Sequence, residues 1–344
     1  MSVALAPLSL LYGAVTRARL ALYRAGALPV HKIAAPVISV GNITAGGTGK
    51  TPLVEWLARA AAREGRRVCV LTRGYGRKDA RRRVVVSDGR DVLADARTGG
   101  DEPCLLAENL RGLAAVVADA DRFAAAQWAI EELKSDLFIL DDGFQHLRLA
   151  RDLNILALDA TIPWGGGHLL PRGRLREPLA GLTRADCIII TRTELAADLE
   201  ALRKTAAQLC DGRPIFNART STQRIRLLTT SGAAETVASD ALVQPLLAFC
   251  AVGNPQAFFT HARNAGYELS QTRVFADHHD YTQTDVDALT EAAAQHGARA
   301  FITTAKDAVK LRSLHFSLSC FVLEIAFVLD DEASLLALVR RVLS

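Results

Sequence analysis

The chain of 344 residues has room for two domains with their own cores, although one large α/β unit would also hold it. Its net charge of +4 sets no electrostatic demand for nucleic acid, and its six scattered cysteines, with no Cys-x-x-Cys pair, argue against zinc and disulfides and for a reducing cytosol. No run of about twenty apolar residues occurs, so no spanning helix is expected.

Near the N-terminus, Leu8, Leu11, Tyr12, Val15, Arg19 and Leu22 recur at helical spacing, with Arg17 and Arg24 on another face. The arginines follow the apolar part, the reverse of a signal peptide. The pattern suits a helix lying on an anionic leaflet, or an amphipathic helix packed on the protein itself.

Pro36 to Thr51 reads as a short apolar strand, a glycine-rich loop and the start of a helix through Leu53, Val54, Trp56 and Leu57. Glycines let backbone N–H groups turn inward around a polyphosphate, and the helix points its positive end at the same anion. The loop Thr44-Ala45-Gly46-Gly47-Thr48-Gly49 therefore predicts a nucleotide site. Lys50 would reach the β- and γ-phosphates, and the Thr51 hydroxyl would ligate Mg²⁺. The strict pattern has glycine where Thr44 stands. The core also resembles partition-type ATPases, whose additional lysine would fall at Ala45.

A second strand, Val68 to Leu71, runs into Thr72-Arg73-Gly74-Tyr75-Gly76-Arg77, the kind of strand end at which ligands sit in a parallel sheet. Gly99-Gly100-Asp101-Glu102-Pro103 opens a helix; Asp101 is either its N-cap or a base beside the phosphate site. Arg122 begins another helix, where its charge is misplaced unless an anion lies near. Leu137 to Leu140 followed by Asp141-Asp142 describes a buried strand delivering a carboxylate to a metal, the Walker B arrangement. A basic, glycine-rich loop, Ile162 to Pro178, follows and could close over phosphates.

Pro214 to Phe216 reads as the last strand of this unit, Ser221 to Asp240 as a β-hairpin turning at Ser231-Gly232, and Leu246 onward as a smaller α/β unit. In the latter, Asp277-His278-His279-Asp280 is poorly spaced for one zinc. A histidine brought across a cleft to a carboxylate is the better use, and a solvated loop the plainer one. Phe301 to Lys310 reads as a strand passing into a polar segment.

These motifs, with Asp141-Asp142-Gly143-Phe144-Gln145-His146, Leu175-Arg176-Glu177-Pro178 and Lys306-Asp307-Ala308-Val309-Lys310, together resemble the tetraacyldisaccharide 4'-kinase family. Gly166, Arg172 and Arg174 depart from its usual pattern. The resemblance implies a P-loop NTPase-type, mainly parallel sheet flanked by helices, with a hairpin linker and a second, smaller α/β domain. The divisions would be an amphipathic membrane-surface helix at 1–30, a kinase domain at 31–220, a linker at 221–240 and a cleft-completing domain at 241–344.

The implied reaction moves the γ-phosphate of ATP to the 4'-hydroxyl of a tetraacyldisaccharide 1-phosphate in lipid A biosynthesis. It would take place at the cytosolic face of the inner membrane, with no nucleic acid and no obligate protein partner. Asp101 matches the base and His278 its partner; Lys50, Arg73, Arg122 and Arg176 match charge stabilisers around the phosphates. Thr51, Asp141, Asp142 and Glu177 match a Mg²⁺ shell, and Tyr75 and Asn42 substrate-side contacts. The alternative is a partition-type ATPase or GTPase regulator without a lipid substrate.

Overall fold

The computed structural model describes residues 5–79, 81–229, 235–237 and 242–343. After helix α1 (Ala6–Arg24) come β1 (Val37–Gly41), α2 (Lys50–Arg63), β2 (Val68–Thr72), β3 (Val84–Ser87), α3 (Ala96–Gly99), α4 (Asp101–Asn109), β4 (Ala114–Ala118), α5 (Arg122–Glu132), β5 (Leu137–Asp141), β6 (Leu153–Asp159) and β7 (Cys187–Thr191). Strands β1, β2 and β4 to β7 are buried along their whole length and read as near-continuous apolar runs, interrupted inside only by Ser39 and Asn154, as parallel strands covered on both faces do. They lie in the order β7-β6-β1-β5-β2-β4, all parallel, with β3 antiparallel at the edge. Both β1 and β5 are central, so the phosphate loop after β1 and the acids after β5 emerge side by side at the strand C-termini.

The rest of the chain supplies α6 (Leu199–Leu209), β8 (Ile215–Leu227), β9 (Glu235–Val237), β10 (Leu246–Cys250), α7 (Pro255–Asn264), β11 (Leu269–Val274), α8 (Gln283–Gln295), β12 (Ala300–Thr304), α9 (Ala305–Leu311), β13 (Cys320–Leu329) and α10 (Glu332–Leu343). Strand β8 runs well past Phe216, the end expected from the sequence. Its first residues pair in parallel with β7, and Ala218 to Leu227 pair antiparallel with β13. One sheet therefore continues through both halves, extending from β8 through β13, β12 and β10 to β11. Residues of β8 and β9 form the arms of a hairpin; the expected Ser231-Gly232 turn lies outside the described residues.

The segment after β12 corrects the sequence reading, because it is helix α9. Thr304 caps it, its hydroxyl accepting from Asp307 N at 3.1 Å while donating to Asp307 Oδ2 at 2.7 Å. All six cysteines are buried, and none is in a disulfide.

Candidate active site

Local bonding fixes the shape of the phosphate loop. The Asn42 amide donates to the Thr44 carbonyl (2.7 Å) and the Thr48 hydroxyl (2.9 Å). Thr191 and Arg192, at the end of β7, donate to the Thr48 and Gly47 carbonyls, each at 2.8 Å. Thr44, where the strict pattern has glycine, is buried and bridges to Leu175, and Ala45 N donates to the Arg174 carbonyl at 2.7 Å, so the 162–178 loop seats directly on the phosphate loop. Helix α2 starts after Gly49 in the left-handed region (φ 76°). Its first turn holds neither a capping side chain nor an acid, which leaves its N–H groups to an anion.

The second half touches the same loop. A Cβ on Gly253 would lie 2.4 Å from Gly47 N and 2.8 Å from Gly46 Cα. Gly253→Ala is therefore expected to force the two loops apart, costing about 1–3 kcal/mol of stability and raising KM for ATP. Thermal melting with steady-state kinetics checks this, and an unchanged melt and KM would contradict it.

At the end of β5, Asp141 is buried and accepts from the Thr72 hydroxyl at 3.3 Å. Burial, with Glu102 and Asp142 nearby, pushes its carboxyl well above the usual range, so a cation beside it would be strongly held. Asp142 takes a left-handed backbone (φ 54°) that aims its side chain at the loop. It pairs with Lys50 Nζ at 3.2 Å and receives two parallel bonds from Arg176, at 2.7 and 2.9 Å. Burial opposes its charge, but these two cations outweigh burial and hold Asp142 ionised.

Arg176 also donates to Asn42 Oδ1 at 3.1 Å, tying loop and acids together. Glu177 is oriented away from this cluster: Arg184 bonds both its oxygens (2.7 and 3.0 Å) and Gln145 donates to one at 2.8 Å. Gln145 donates in turn to the Asn42 carbonyl at 2.8 Å. Arg122 is buried, and its Nε has no hydrogen-bond partner among the described residues. Burial lowers its pKa while Asp142 and Asp141 raise it, the setting of a cation placed for an anion. Arg73 and Tyr75 are exposed at the end of β2, Arg73 donating to the Tyr75 hydroxyl at 3.1 Å.

Asp101 and His278, 177 residues apart, meet. His278 Nδ1 lies 3.0 and 2.9 Å from the two Asp101 oxygens. Gly100 is the N-cap of α4, so Asp101 opens the helix's first turn with its carboxylate turned to the second half. His278 itself holds a left-handed φ of 63°. Two lysines, which the sequence offers only as the ends of the Lys306–Lys310 motif and with no role of their own, complete the cluster. Lys310 Nζ lies 3.3 Å from Asp101 Oδ2, and Lys306 Nζ lies 4.0 Å from it while bonding Glu102 (2.8 Å) and Asp277 (3.1 Å). The Thr304-x-x-Asp307 capping signal could have found them, since a helix from Ala305 puts 306 and 310 on one face. Burial raises the Asp101 pKa, but His278, Lys306 and Lys310 more than offset it and bring it to about 2. The Asp101 bond raises that of His278.

His279 faces Asp285 (3.1 Å), and among the described residues no group of three or more His, Cys, Asp or Glu is placed to hold a metal by itself. A cavity of about 380 Å³, lined among others by Thr51, Trp56, Glu102, Arg192, Asn254 and Lys306, joins the first turn of α2 to the lysine cluster.

Helix α1 turns small and polar groups inward. Ser9 donates to the Leu169 carbonyl (2.9 Å), Tyr12 to that of Arg176 (2.8 Å) and Arg19 to that of Gln145 (3.1 Å). Leu8, Leu10, Leu11, Val15 and Leu22 are exposed. Among the described residues no helix is long and apolar enough to cross a membrane.

A phosphate loop, an acid-terminated neighbouring strand and a mainly parallel sheet flanked by helices define a P-loop NTPase-type fold equipped for phosphoryl transfer. The family model for tetraacyldisaccharide-1-P 4'-kinase matches residues 1–344, and the chain belongs to that kinase family. It is 40% identical over 341 residues to the tetraacyldisaccharide 4'-kinase of Pelobacter propionicus, covering 98% of this chain and 92% of the relative. It is 42% identical over 311 residues to that of Geobacter sulfurreducens, covering 88% and 82%. A crystal structure of the "apo" form of LpxK from Aquifex aeolicus, in complex with ATP, superposes with a TM-score of 0.78 at 34% identity over 99% of each chain.

Proposed function

We propose that this enzyme binds ATP on the loop from Thr44 to Thr51 and transfers its γ-phosphate to the 4'-hydroxyl of a tetraacyldisaccharide 1-phosphate, with Asp101 as base. The contact between Asp101 and His278 carries this reading. It brings a buried, ionised carboxylate from α4 against an imidazole from the second half, an arrangement that nucleotide binding alone does not require. The alternative of a partition-type regulator is not favoured, given family membership over the whole chain.

In the proposed step the substrate hydroxyl gives its proton to Asp101. Its oxygen forms a bond to the γ-phosphorus, and the bond from that phosphorus to the bridging oxygen breaks to release ADP. Lys50, Arg122 and Arg176 neutralise the phosphate oxygens, with Arg73 at the exposed rim. His278 orients Asp101 and supports its charge. Tyr75 and Asn42 are assigned to the substrate side, Asn42 through the loop geometry it fixes.

The donor set fits Mg²⁺: the Thr51 hydroxyl, the buried Asp141 carboxylate and the partly buried Asp142 carboxylate are hard oxygen ligands in the small number this ion takes beside nucleotide phosphates. When bound there, the ion would offset charge on the β- and γ-phosphate oxygens. Glu177, expected in this shell, supports it at one remove through Gln145 and Asn42.

The outward apolar face of α1 suits peripheral attachment to the cytosolic side of the inner membrane, where the substrate's acyl chains stay in the bilayer. Replacing Leu8, Leu11 and Val15 by serine is expected to cut binding to anionic phospholipid vesicles at least about tenfold without lowering the melting temperature. Flotation checks this, and undiminished binding would contradict it. The reaction itself is tested by incubating the purified protein with radiolabelled disaccharide 1-phosphate lipid and Mg-ATP. Chromatography should show a bisphosphorylated product; ATP hydrolysis without it would refute the reading.

A further inference from the structure

Helix α9 faces Asp101 with two cations a helical turn apart. The Lys306 and Lys310 side chains are 13% and 7% exposed, and Asp101's is 4% exposed, so these charges meet out of water. Lys310 is fixed from several sides. Its ammonium sits 3.3 Å from Asp101 Oδ2 and 5.6 Å from the Tyr281 ring centroid. Tyr281 donates to Asp307 Oδ1 at 3.1 Å, and Asp307 also accepts from Ala251 N at 3.2 Å at the end of β10. The helix that carries Lys310 is therefore locked onto the second half's sheet, whereas Asp101 belongs to the first half. Lys306 bonds Glu102 on α4 and Asp277 beside His278, bridging the two halves at the same place.

We infer that Lys310, with Lys306 one turn before it, is a positioning residue for phosphoryl transfer, holding Asp101 ionised and turned toward His278. This rests on the reading that Asp101 takes the hydroxyl proton. A carboxylate this deeply buried tends to take up a proton itself and would then be unable to accept another. His278 supplies one hydrogen bond, and Lys310 supplies a permanent charge that does not depend on the protonation of His278. The charged and titratable groups around Asp101 are His278 and Asp277 from the loop before α8, Lys306 and Lys310 from α9, and Glu102 and Cys104 from its own helix. With Lys310 removed, the remaining permanent positive charge is Lys306, which Glu102 and Asp277 already share.

The test compares Lys310→Met and Lys310→Arg, each in the wild-type and the Asp101→Asn background, by single-turnover rates, KM for ATP and pH profiles. Lys310→Met should lower kcat on the order of tenfold with KM for ATP nearly unchanged, and should move the acid limb of kcat/KM to higher pH. Lys310→Arg should keep that limb near its original position. In the Asp101→Asn background, Lys310→Met should cost less than about twofold, because the group it acts through is gone. Equal losses in both backgrounds, or an unmoved acid limb, would overturn the inference. Full activity of Asp101→Asn would instead refute the assignment of the base. An inactive Asp101→Asn beside a fully active Lys310→Met would sink only the role of the lysine. Should Lys310→Met fail to fold, Lys306→Met carries the same readouts with a smaller pH shift.

Discussion

Lys50→Met is expected to lower kcat by about 10²–10³-fold, roughly 3–4 kcal/mol of transition-state stabilisation. Lys50 opens α2 directly after the glycine turn, so its ammonium and the unpaired N–H groups of the first turn serve one anion. Its present partner is Asp142 at 3.2 Å, and Asp142 keeps both Arg176 bonds when the lysine is removed. The substitution therefore leaves no orphaned buried carboxylate, and the fold should survive it. Lys50→Arg is not expected to rescue the rate, because a planar fork cannot replace a compact point charge in this turn. Circular dichroism establishes the fold and the lipid-kinase assay the rate. Wild-type turnover in Lys50→Met would remove the phosphate loop from the mechanism.

Asp101→Asn should lower kcat about 10²–10⁴-fold, the usual worth of a positioned base. KM for ATP should hardly change, because the partners of Asp101 lie on α9 and the loop before α8 and not on the phosphate loop. His278→Ala should be partly redundant with it: where the base is gone, losing its support costs little more. Strictly multiplicative losses would indicate two independent roles.

The pair also predicts a pH window for stability. The Asp101 pKa falls from its ordinary 3.8 to about 2, so its contribution is present above 3.8 and lost as the pH drops through 2. The His278 pKa is raised above its ordinary 6.5, so its contribution is full below 6.5 and lost as the pH climbs through the folded-state value. The melting-temperature gap between wild type and His278→Ala should thus be widest from about pH 4 to 6.5 and close on the alkaline side. A gap independent of pH would mean that the pair carries no charge.

Much of the site is legible in the sequence, because its chemistry is written in contiguous residues. Strand, glycine turn, lysine, hydroxyl and helix follow one another from Val37 to Thr51, and the four apolar residues before Asp141 and Asp142 announce a buried strand ending in acid. Helix α9 is harder to read although its capping signal is present, because its seven residues directly follow the apolar strand from Ala300 to Thr304 and are too few to show a helical period of their own.

Residue order along the chain determined the phosphate loop, the acid pair and the alternation of strands and helices, since each depends on neighbours a few positions apart. Only the tertiary structure decided that β8 would join both halves in one sheet and that α1 would turn its polar side inward and its leucines out. It alone decided that Glu177 would bond Arg184 and that two lysines would close on Asp101. These last depend on surfaces that share no local pattern and meet only after the sheet has brought them within a few ångströms. The Coulomb and desolvation terms that set the charge of a buried carboxylate depend on that distance and burial and have no signature in sequence spacing.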